Sequence, residues 1–526
     1  MRGKLAVGRA EKAGRCDGCP LSRRQFLAGC AVGAAGLTAL NAVAAEAEAP
    51  PARPKVRLVY TYVPSTGPIW PNIGYDFDKR KKELTDKLTG GCPNIELLPT
   101  TVMNGGEAKK LLEEDKDKGI DGYLVYMLGI WTGAPQAIGA AGKPTLFVDD
   151  LYGGSGEFLG AYAHARRAKQ KVSGVSSSRL DDVVEAARCF ELLKKPGATA
   201  DAFVAACDET RKKLTKPMGD MKCTDDPVKS IAVEEAMKKL QASTLLAVGG
   251  GWGMPGSGKA IEALFGTKVV PIEFKELHEA YLKADRDEAR KWADKWSKEA
   301  EKIIEPKAQD IEDSGAMHVA MLEVLKRHNA QGITINCLGG FYSGKIKAFP
   351  CLGFCQLNND GLVGACEGDI MSTLTMLVIG ALTGRPGFIS DPVIDTSKNQ
   401  IIYAHCVAPT KVFGPQGASN PYHIRSHSED RKGASMRSLM PPGYMTTTME
   451  INSGSKQILL HQAKSVDNID EDKACRTKLA GEVSGSIEKL IDGWGWGWHR
   501  VTFYGDLKPQ VQQLADALKL KIIEEA

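Results

Sequence analysis

The first part of the chain alternates between strand-like and helix-like patterns of apolar positions. Short apolar runs rich in β-branched and aromatic residues predict strands, and the longer amphipathic segments between them predict helices. Alternating strands and helices imply a parallel sheet with helices on both faces. The predicted strands lie at 55–63, 95–98, 122–128 and 144–148, and the predicted helices at 77–88 and 107–116.

A second set of alternating segments predicts another α/β unit. A buried strand at 243–248 enters a glycine-rich turn, GGGWGMPGSGKA at 249–260, of the kind that can cradle a phosphate before a helix. Residues 253–259 fit the first seven positions of a P-loop, but Ala260 stands where the magnesium-binding Ser/Thr belongs. We therefore interpret it as a tight strand-to-helix turn. The other segments are helices at 180–193, 226–239, 281–306 and 317–327 and a strand at 332–337.

Residues 361–391 carry the clearest arrangement of candidate chemistry. An apolar helix predicted at 371–383 moves the chain by about 20 Å, and a short extended piece at 387–390 brings it back towards its start. Glu367 and Asp391, 24 residues apart, then face one site. Two carboxylates so placed bind a metal ion or divide the acid and base roles of a reaction, unless they are simply solvated at the ends of a core helix.

Beyond this stretch the pattern changes to short extended segments separated by turns, at 401–406, 444–451, 457–461 and 501–504. The fold class predicted is α/β: two Rossmann-like parallel-sheet domains followed by a β-rich, barrel-like C-terminal domain. A chain of 526 residues is too long for one core. The predicted divisions are 1–45 for a signal peptide and 46–178, 179–385 and 386–526 for the three domains.

The N-terminal sequence indicates export, and the charge of the remaining chain argues against a nucleic-acid partner. Ser-Arg-Arg-Gln-Phe-Leu at 22–27 is a twin-arginine pattern, followed by an Ala/Gly-rich run with small residues up to Ala45. The first 45 residues hold seven Lys/Arg and two acids, so the totals of 68 and 64 fall to 61 and 62 without them. The remaining charge near −1 gives no basic stripe, so we expect no nucleic-acid partner.

We expect the twin-arginine export machinery to deliver the protein to the periplasm or cell envelope. Leu-Ala-Gly-Cys at 27–30 also fits a lipobox, so lipidation of Cys30 is an alternative to cleavage near Ala45, which we favour. No later apolar run has spanning length, and no transmembrane anchor is expected after cleavage. Ten of the 13 cysteines follow the leader, and export permits some of them to be oxidised. The spacing of Cys351, Cys355 and Cys366 matches no dependable metal pattern, so buried thiols are the simpler reading.

Five of the nine histidines lie in the β-rich region, among them His405, His427 and His499. His405 follows Asp391 by 14 residues, and His499 follows the run Gly-Trp-Gly-Trp-Gly-Trp at 493–498. Trp498 and its neighbours either wall a sugar pocket or pack a domain edge. Two carboxylates and an imidazole suit manganese or a similar divalent ion, although sequence spacing alone does not bring His499 to Glu367.

Several segments resemble the L-fucose isomerase and L-arabinose isomerase superfamily. They are PCLG at 350–353, Gly361, CEGD at 366–369, LTG at 382–384, SD at 390–391 and WHRVT at 498–502. The resemblance implies that Glu367 and Asp391 are the acid/base pair and bind a divalent metal, Mn²⁺, together with His499 and, more weakly, His405. It also implies a small-molecule sugar substrate and a homo-oligomer, a trimer or hexamer. We assign substrate contacts to His405, His427 and Trp498.

Two functional hypotheses follow from the sequence. In the first, the protein is an exported metal-dependent aldose–ketose isomerase that works through an enediol, with Glu367 and Asp391 exchanging the proton between C2 and C1. In the second, it is an exported carbohydrate- or metal-binding protein that keeps the isomerase fold without turnover. Asp369, next to Glu367, is expected to support the metal ligands rather than to join them. The sequence leaves the sugar open.

Overall fold

Five parallel strands form the first sheet, in the order β2-β1-β3-β4-β5. Every residue of β3 and β4 is buried, because helices cover both faces of the sheet. The structure is a computed structural model that describes residues 52–67, 69–251 and 257–526. The strands are β1 (Lys55–Thr61), β2 (Glu96–Val102), β3 (Gly122–Met127), β4 (Thr145–Asp149) and β5 (Val172–Ser176).

Two apolar clusters cover the two faces of this sheet. One contains α1, α5 and α6 with the side chains of Leu124 and Tyr126, and the other contains α2, α3 and α4 with those of Tyr123 and Val125. The alternation along β3 is what a strand buried on both faces requires. The helices are α1 (Phe77–Gly91), α2 (Gly105–Glu114), α3 (Ala134–Gly139), α4 (Ser155–Arg167), α5 (Leu180–Arg188) and α6 (Ala200–Leu214), with a 3-10 helix at Cys189–Lys194.

The second sheet has four parallel strands in the order β10-β9-β6-β7. Its strands are β6 (Thr244–Val248), β7 (Lys268–Ile272), β9 (Gly332–Ile335) and β10 (Val363–Ala365). The helices of this region are α7 (Val233–Gln241), α8 (Ser257–Phe265), α9 (Phe274–Lys283), α10 (Arg286–Glu299), α11 (Ala308–Arg327), α12 (Cys337–Tyr342), α13 (Cys351–Asn359) and α14 (Ile370–Thr383).

Six antiparallel strands close into a barrel in the C-terminal region. The ring runs β15-β18-β11-β12-β17-β16 and returns to β15, so no strand of the ring has a free edge, and β19 adds to β16 in parallel. The six ring strands are β11 (Phe388–Asp395), β12 (Gln400–His405), β15 (Met445–Asn452), β16 (Gln457–Asn468), β17 (Thr477–Ser484) and β18 (Arg500–Tyr504), and the added strand β19 is Lys521–Glu524.

A small sheet and a few short elements complete the described residues. The sheet joins β8 in parallel and β14 antiparallel to the central β13. These strands are β8 (Lys302–Ile303), β13 (Tyr422–Arg425) and β14 (Ser435–Ser438), and the helices are α15 (Ile487–Gly493), α16 (Lys508–Leu518) and a 3-10 turn at Thr396–Lys398.

The predicted fold class is confirmed: two parallel-sheet α/β regions precede an antiparallel barrel. One predicted helix is wrong. Residues 281–306 do not form a single helix, because α9 ends at Lys283 and the side chain of Asp285 caps a new helix by accepting the backbone N–H groups of Asp287 and Glu288. The charged pattern continues across this break, so periodicity alone does not reveal it.

The proposed domain divisions stay predictions. Residues Arg53–Ala526 form one compact unit, and α5 and α6 pack on the first sheet although they follow residue 178. The signal peptide, Cys30 and Ala45 lie outside the described residues, as do residues 252–256 of the P-loop-like turn. In the described part of the chain, none of the helices has both the length and the apolarity needed to cross a bilayer.

Candidate metal and catalytic site

Asp391 lies on β11, where the barrel register brings two candidate histidines beside it. Ala404 pairs with Asp391 across β12, so His405 is the next residue along that strand. Ser390 pairs with Arg500 across β18, and the antiparallel order places His499 opposite Asp391. Neighbouring strands of one closed barrel thus gather three side chains that are far apart in the sequence.

Glu367 approaches the same point from the second sheet. It follows β10 by two residues, at the C-terminal edge of the parallel strands where α/β proteins commonly place their ligands. The helix α14 then leaves this edge and ends at Gly384 (φ +69°), as the sequence predicts, and β11 returns the chain. The sequence-predicted placement of Glu367 opposite Asp391 is therefore what the structure shows.

The four side chains form a tight group. Ligand atoms of Glu367, Asp391, His405 and His499 all lie within 4.8 Å of one another. His499 Nε2 is 3.0 Å from Asp391 Oδ1 and 3.4 Å from Glu367 Oε2. His405 Nε2 is 4.0 Å from an oxygen of each carboxylate. Among the described residues, this is the only group of three or more His, Cys, Asp or Glu side chains that converge closely enough to hold a metal ion.

Asp369 orients His499 from behind. Its Oδ2 accepts a hydrogen bond from His499 Nδ1 at 2.8 Å, which leaves Nε2 directed at Glu367 and Asp391. Asp369 also accepts the backbone N–H of Ser372 at 3.0 Å and so caps α14. A carboxylate that holds the remote nitrogen of a metal-binding histidine is a common supporting arrangement.

The charges at the site depend on one another. Burial lowers the pKa of His499, but Asp391, Asp369 and Glu367 outweigh it and raise that pKa well above its ordinary value. Burial raises the pKa of Glu367, but its hydrogen bond to His499 and the nearby histidine charges bring that pKa below the usual value. The group therefore attracts a positive charge, which a proton on His499 or a divalent cation supplies.

Two observations test whether a cation fits this group. Asp391 Oδ1 and His405 Nε2 are buried and point into the group, and beyond the 3.0 Å approach of His499 Nε2 to Asp391 Oδ1 neither atom has a hydrogen-bond partner in the described structure. Buried polar atoms normally have partners, so these two fit a bound ion or ligand. The donor set, two carboxylate oxygens and one imidazole nitrogen, suits Mn²⁺ and similar divalent ions.

His405 differs from His499 in its hydrogen bonding. The backbone N–H of Cys406 donates to His405 Nδ1 at 2.9 Å, so in the neutral ring the proton resides on Nε2. In this form His405 Nε2 is a donor, suited to an oxygen of a bound ligand. Both predicted roles of His405, as a substrate contact and as a weaker metal ligand, stay predictions.

The backbone at Glu367 is strained. Its φ is +62°, a conformation that side chains other than Gly, Asn and Asp rarely adopt, and Gly368 follows at +69°. A Cβ at position 368 would lie 3.0 Å from the carbonyl oxygen of Gly250. Strain of this kind is retained where the surroundings hold a functional group in place.

His427 lies outside the four-residue group. It is buried, contacts Asp430 Oδ1 at 3.1 Å and packs against the ring of Phe349. Burial opposes its charge, but Asp430, Cys406 and Glu429 raise its pKa to about 10. Its charge acts on Glu367, so the structure gives His427 an electrostatic role, while the predicted substrate contact remains a prediction.

An aromatic wall stands next to His499. Trp498 donates its Nε1–H to the Pro392 carbonyl at 2.9 Å and meets the rings of Trp70 and Trp131 edge to face. Trp131 is 62% exposed and has a φ of +65°, a conformation secured by the buried carboxylate of Glu157, which accepts the N–H groups of the next two residues.

Sequence reasoning missed two contributors to this site. They are the buried carboxyl of Glu429, whose pKa burial raises to about 8, and Cys475, whose Sγ lies 3.9 Å from Asp391 Oδ2. Neither residue carried a local signal in the sequence, because tertiary packing alone brings them to the site.

Comparison with known proteins finds partial sequence similarity to sugar isomerases. No protein-family model matches the chain. A sulfoquinovose isomerase from Clostridium sp. (strain MSTE9) is 24% identical over 301 residues, which cover 55% of this chain and 66% of the relative. Those from Alkalicoccus urumqiensis (24% over 149 residues, covering 28% and 33%) and Priestia aryabhattai (21% over 264 residues, covering 48% and 57%) are similar too.

The matches span from 33% to 66% of the length of these relatives. They support the resemblance drawn from the sequence at the level of sugar isomerases and carbohydrate metabolism. They do not distinguish a fucose isomerase from other members of the superfamily.

Proposed function

We propose that the protein is a metal-dependent aldose–ketose sugar isomerase. The observation that carries the proposal is the convergence of Glu367, Asp391 and His499, whose ligand atoms lie within 4.8 Å of one another beside the buried His405 Nε2. The similarity to sulfoquinovose isomerases supports the same reaction class. Two carboxylates facing one point provide both halves of a proton transfer.

The reaction needs a proton removed from C2 of the aldose and a proton delivered to C1. One of Glu367 and Asp391 accepts the C2 proton, which gives an enediol, and the other returns a proton to C1. The lowered pKa of Glu367 keeps it ionised near neutral pH, as a base must be. His405 Nε2–H has no partner in the structure and lies where it would donate to a sugar oxygen.

Glu367, Asp391 and His499 would hold the cation, and the hydrogen bond from His499 to Asp369 would keep the imidazole ring in the required orientation. A bound divalent ion, for which we propose Mn²⁺, supplies Lewis-acid stabilisation of negative charge on the sugar oxygens. The protein itself contributes the carboxylate bases, the donor at His405 and a partly buried setting in which charges act strongly on one another.

The aromatic wall fits a sugar. Trp498, next to His499 in the chain, and the exposed Trp131 form an edge-to-face aromatic pair, and sugars combine apolar C–H faces with hydroxyl groups. The relatives are named for sulfoquinovose, so we propose this sugar as the first substrate to examine, with pentoses and 6-deoxyhexoses beside it. We also propose twin-arginine export to the periplasm or cell envelope and assembly into a trimer or hexamer.

The test is turnover of this sugar panel by manganese-loaded protein and by Glu367→Gln. We expect the variant to lose at least about 1,000-fold in kcat, because it removes both an acid/base group and a ligand. Glu113→Gln, an exposed carboxylate on α2, is the matched control and should keep full activity. Undiminished turnover by Glu367→Gln would contradict the proposed role.

Calorimetry on the same panel identifies the alternative function. Sugar binding by wild-type protein without any product would show that the fold serves a binding protein rather than an isomerase. Product formation from one sugar of the panel supports the isomerase.

A further inference from the structure

Two cysteine thiols meet immediately beside the turn that carries Glu367. Cys337 Sγ lies 3.0 Å from Cys366 Sγ, closer than unbonded sulfur atoms ordinarily approach. Both side chains are buried, with residue exposures of 3% and 5%. The ten cysteines of the described residues are all free thiols in this structure.

The sheet register explains why these thiols meet. β9 and β10 are parallel, with Gly332 beside Val363 and Thr334 beside Ala365. Both strands therefore leave the sheet at the same edge, where Cys366 follows β10 directly and Cys337 opens α12 just after β9. The contact is set by the backbone of two neighbouring strands, not by flexible loops.

The surroundings hold the two segments together. Asn336, next to Cys337, accepts the N–H of Gly339 and caps α12. A Cβ at Gly368, two residues after Cys366, would lie 3.4 Å from the Cβ of Asn336. Little room remains for the thiols to separate, and bond formation needs them to approach by only about 1 Å more.

We propose that Cys337 and Cys366 form an intramolecular disulfide that ties the Glu367 turn to the start of α12. A low-molecular-weight disulfide such as oxidised glutathione is the oxidant class. When local opening of the native state exposes the buried pair, the thiolate of one cysteine attacks this disulfide and releases one thiol. The second cysteine then attacks the mixed disulfide, forming the Cys337–Cys366 bond and releasing the second thiol, so two protein thiols are oxidised and one external disulfide is reduced.

The bond would act on the strained turn. Glu367 directly follows Cys366. Its φ of +62° must be maintained for its carboxylate to meet Asp391, His405 and His499. A disulfide bond at the preceding residue would limit the conformations that this turn can adopt. It also closes a loop of about 30 residues, which restricts the unfolded chain.

The test is disulfide mapping of the wild-type full chain. Protein is equilibrated in oxidised and reduced glutathione, quenched with an alkylating reagent in denaturant, and digested without reduction. The expected result is a linked peptide pair containing Cys337 and Cys366, lighter by two hydrogens than the separate peptides. Alkylation of both residues at the oxidising end, or linkage of either to the nearby buried Cys351, would overturn the proposal.

A thermal readout checks the structural effect. The oxidised wild type should unfold about 5 °C above the reduced form. Cys337→Ala should lose this difference, whereas Cys92→Ala, a buried thiol that donates to the Val184 carbonyl, should keep it. An oxidation-dependent shift that survives in Cys337→Ala would also overturn the proposal. None of these measurements requires isomerase activity.

Discussion

At the scale of single residues, His499 connects Glu367 and Asp391 to the supporting carboxylate of Asp369. Its two ring nitrogens have separate tasks, since Nδ1 is held by Asp369 at 2.8 Å and Nε2 faces Asp391 at 3.0 Å. The sequence analysis, drawing on the family resemblance, expected Asp369 to support the metal ligands. In the structure its carboxylate holds the remote ring nitrogen of His499.

Asp369→Asn should weaken metal binding by about 10- to 100-fold without abolishing it. The amide retains the size of the side chain but loses the charge that fixes the orientation and basicity of His499. Calorimetric titration with Mn²⁺ measures the effect, and Asp117→Asn, on the exposed end of the segment after α2, is the control. Equal affinities of Asp369→Asn and wild type would contradict this role.

The residues of the site differ in how far the sequence could predict them. Glu367 and Asp391 follow from their spacing around an apolar helix, whereas His499 came from a family resemblance. Strand pairing across the barrel brings His499 to Asp391, and such a long-range register is not encoded in any local pattern. The proximity of Glu429 and Cys475 to the site depends on the same tertiary arrangement, so neither could be predicted locally.

At the scale of elements, a buried polar network holds β18, β16 and the residue after β19 together. Arg500 donates to Glu525 through Nη2 at 2.6 Å, and His461 Nδ1 lies 2.9 Å from the other oxygen of Glu525. Tyr403 reaches the far nitrogen of His461 at 3.0 Å. The network lies next to His499 along β18 and helps to fix the strand that positions it.

Glu525→Gln should make the protein less stable at pH 7 by about 3 kcal/mol. Burial raises the pKa of Glu525, but Arg500 and His461 lower it from 4.5 to about 2 overall. The stability that this carboxylate contributes is therefore present above pH 4.5 and is lost as the pH falls towards 2. Urea unfolding between pH 7 and pH 2 measures it.

The wild-type and Glu525→Gln curves should converge as the pH approaches 2. The exposed neighbour supplies the control: Glu524→Gln should follow the wild type throughout. A constant difference between wild type and Glu525→Gln over this range would show that the pKa of Glu525 is not lowered by folding.

Elements were predicted best where one periodicity dominated. The buried strands β3, β4 and β6 and the apolar helix α14 agree with the sequence to within a few residues, because their patterns are uniform. The boundary between α9 and α10 was missed because charged residues continue across it. The short strands β13 and β14 were missed as well, since they are defined by pairing with each other and, for β13, with the distant β8.

At the scale of the whole molecule, Arg211 on α6 joins the first α/β region to α15 in the barrel region. Its guanidinium is 1% exposed and contacts Glu488 at 2.8 Å and Asp492 at 3.0 Å. It also donates to the Tyr162 hydroxyl at 2.6 Å and to the Gly174 carbonyl at 3.0 Å. Removal of this cation would leave Glu488 without its ion-pair partner and Asp492 with Arg166 alone, at 3.6 Å.

Arg211→Met should reduce the free energy of unfolding by about 3 kcal/mol, because the methionine fills the space but leaves the two acids without the Arg211 charge. The midpoint of urea unfolding at pH 7 gives the measurement. Arg188→Met, whose side chain is 46% exposed, should change the midpoint very little. A similar small change in Arg211→Met would refute the idea that this residue joins the two regions.

Divalent metal should stabilise the folded protein as a whole. A ligand that binds only the native state at 100 times its dissociation constant adds about 2.7 kcal/mol. Mn²⁺ should therefore raise the temperature of unfolding of the wild type, and chelation should reverse the increase. Asp391→Asn removes a proposed ligand and should show little response, so an undiminished shift in this variant would place the metal elsewhere.

The barrel register also determines when the site can form during synthesis and folding. Asp391 and His405 come from strands that follow each other in the chain, but His499 joins them only when β18 pairs with β11. During synthesis, more than a hundred residues are added between Asp391 and His499. The group of Glu367, Asp391, His405 and His499 is thus among the last features to assemble. Until β18 is made, the growing chain holds the two carboxylates without the imidazole of His499. On the proposed function, selection of the metal therefore falls to the period after the barrel has closed.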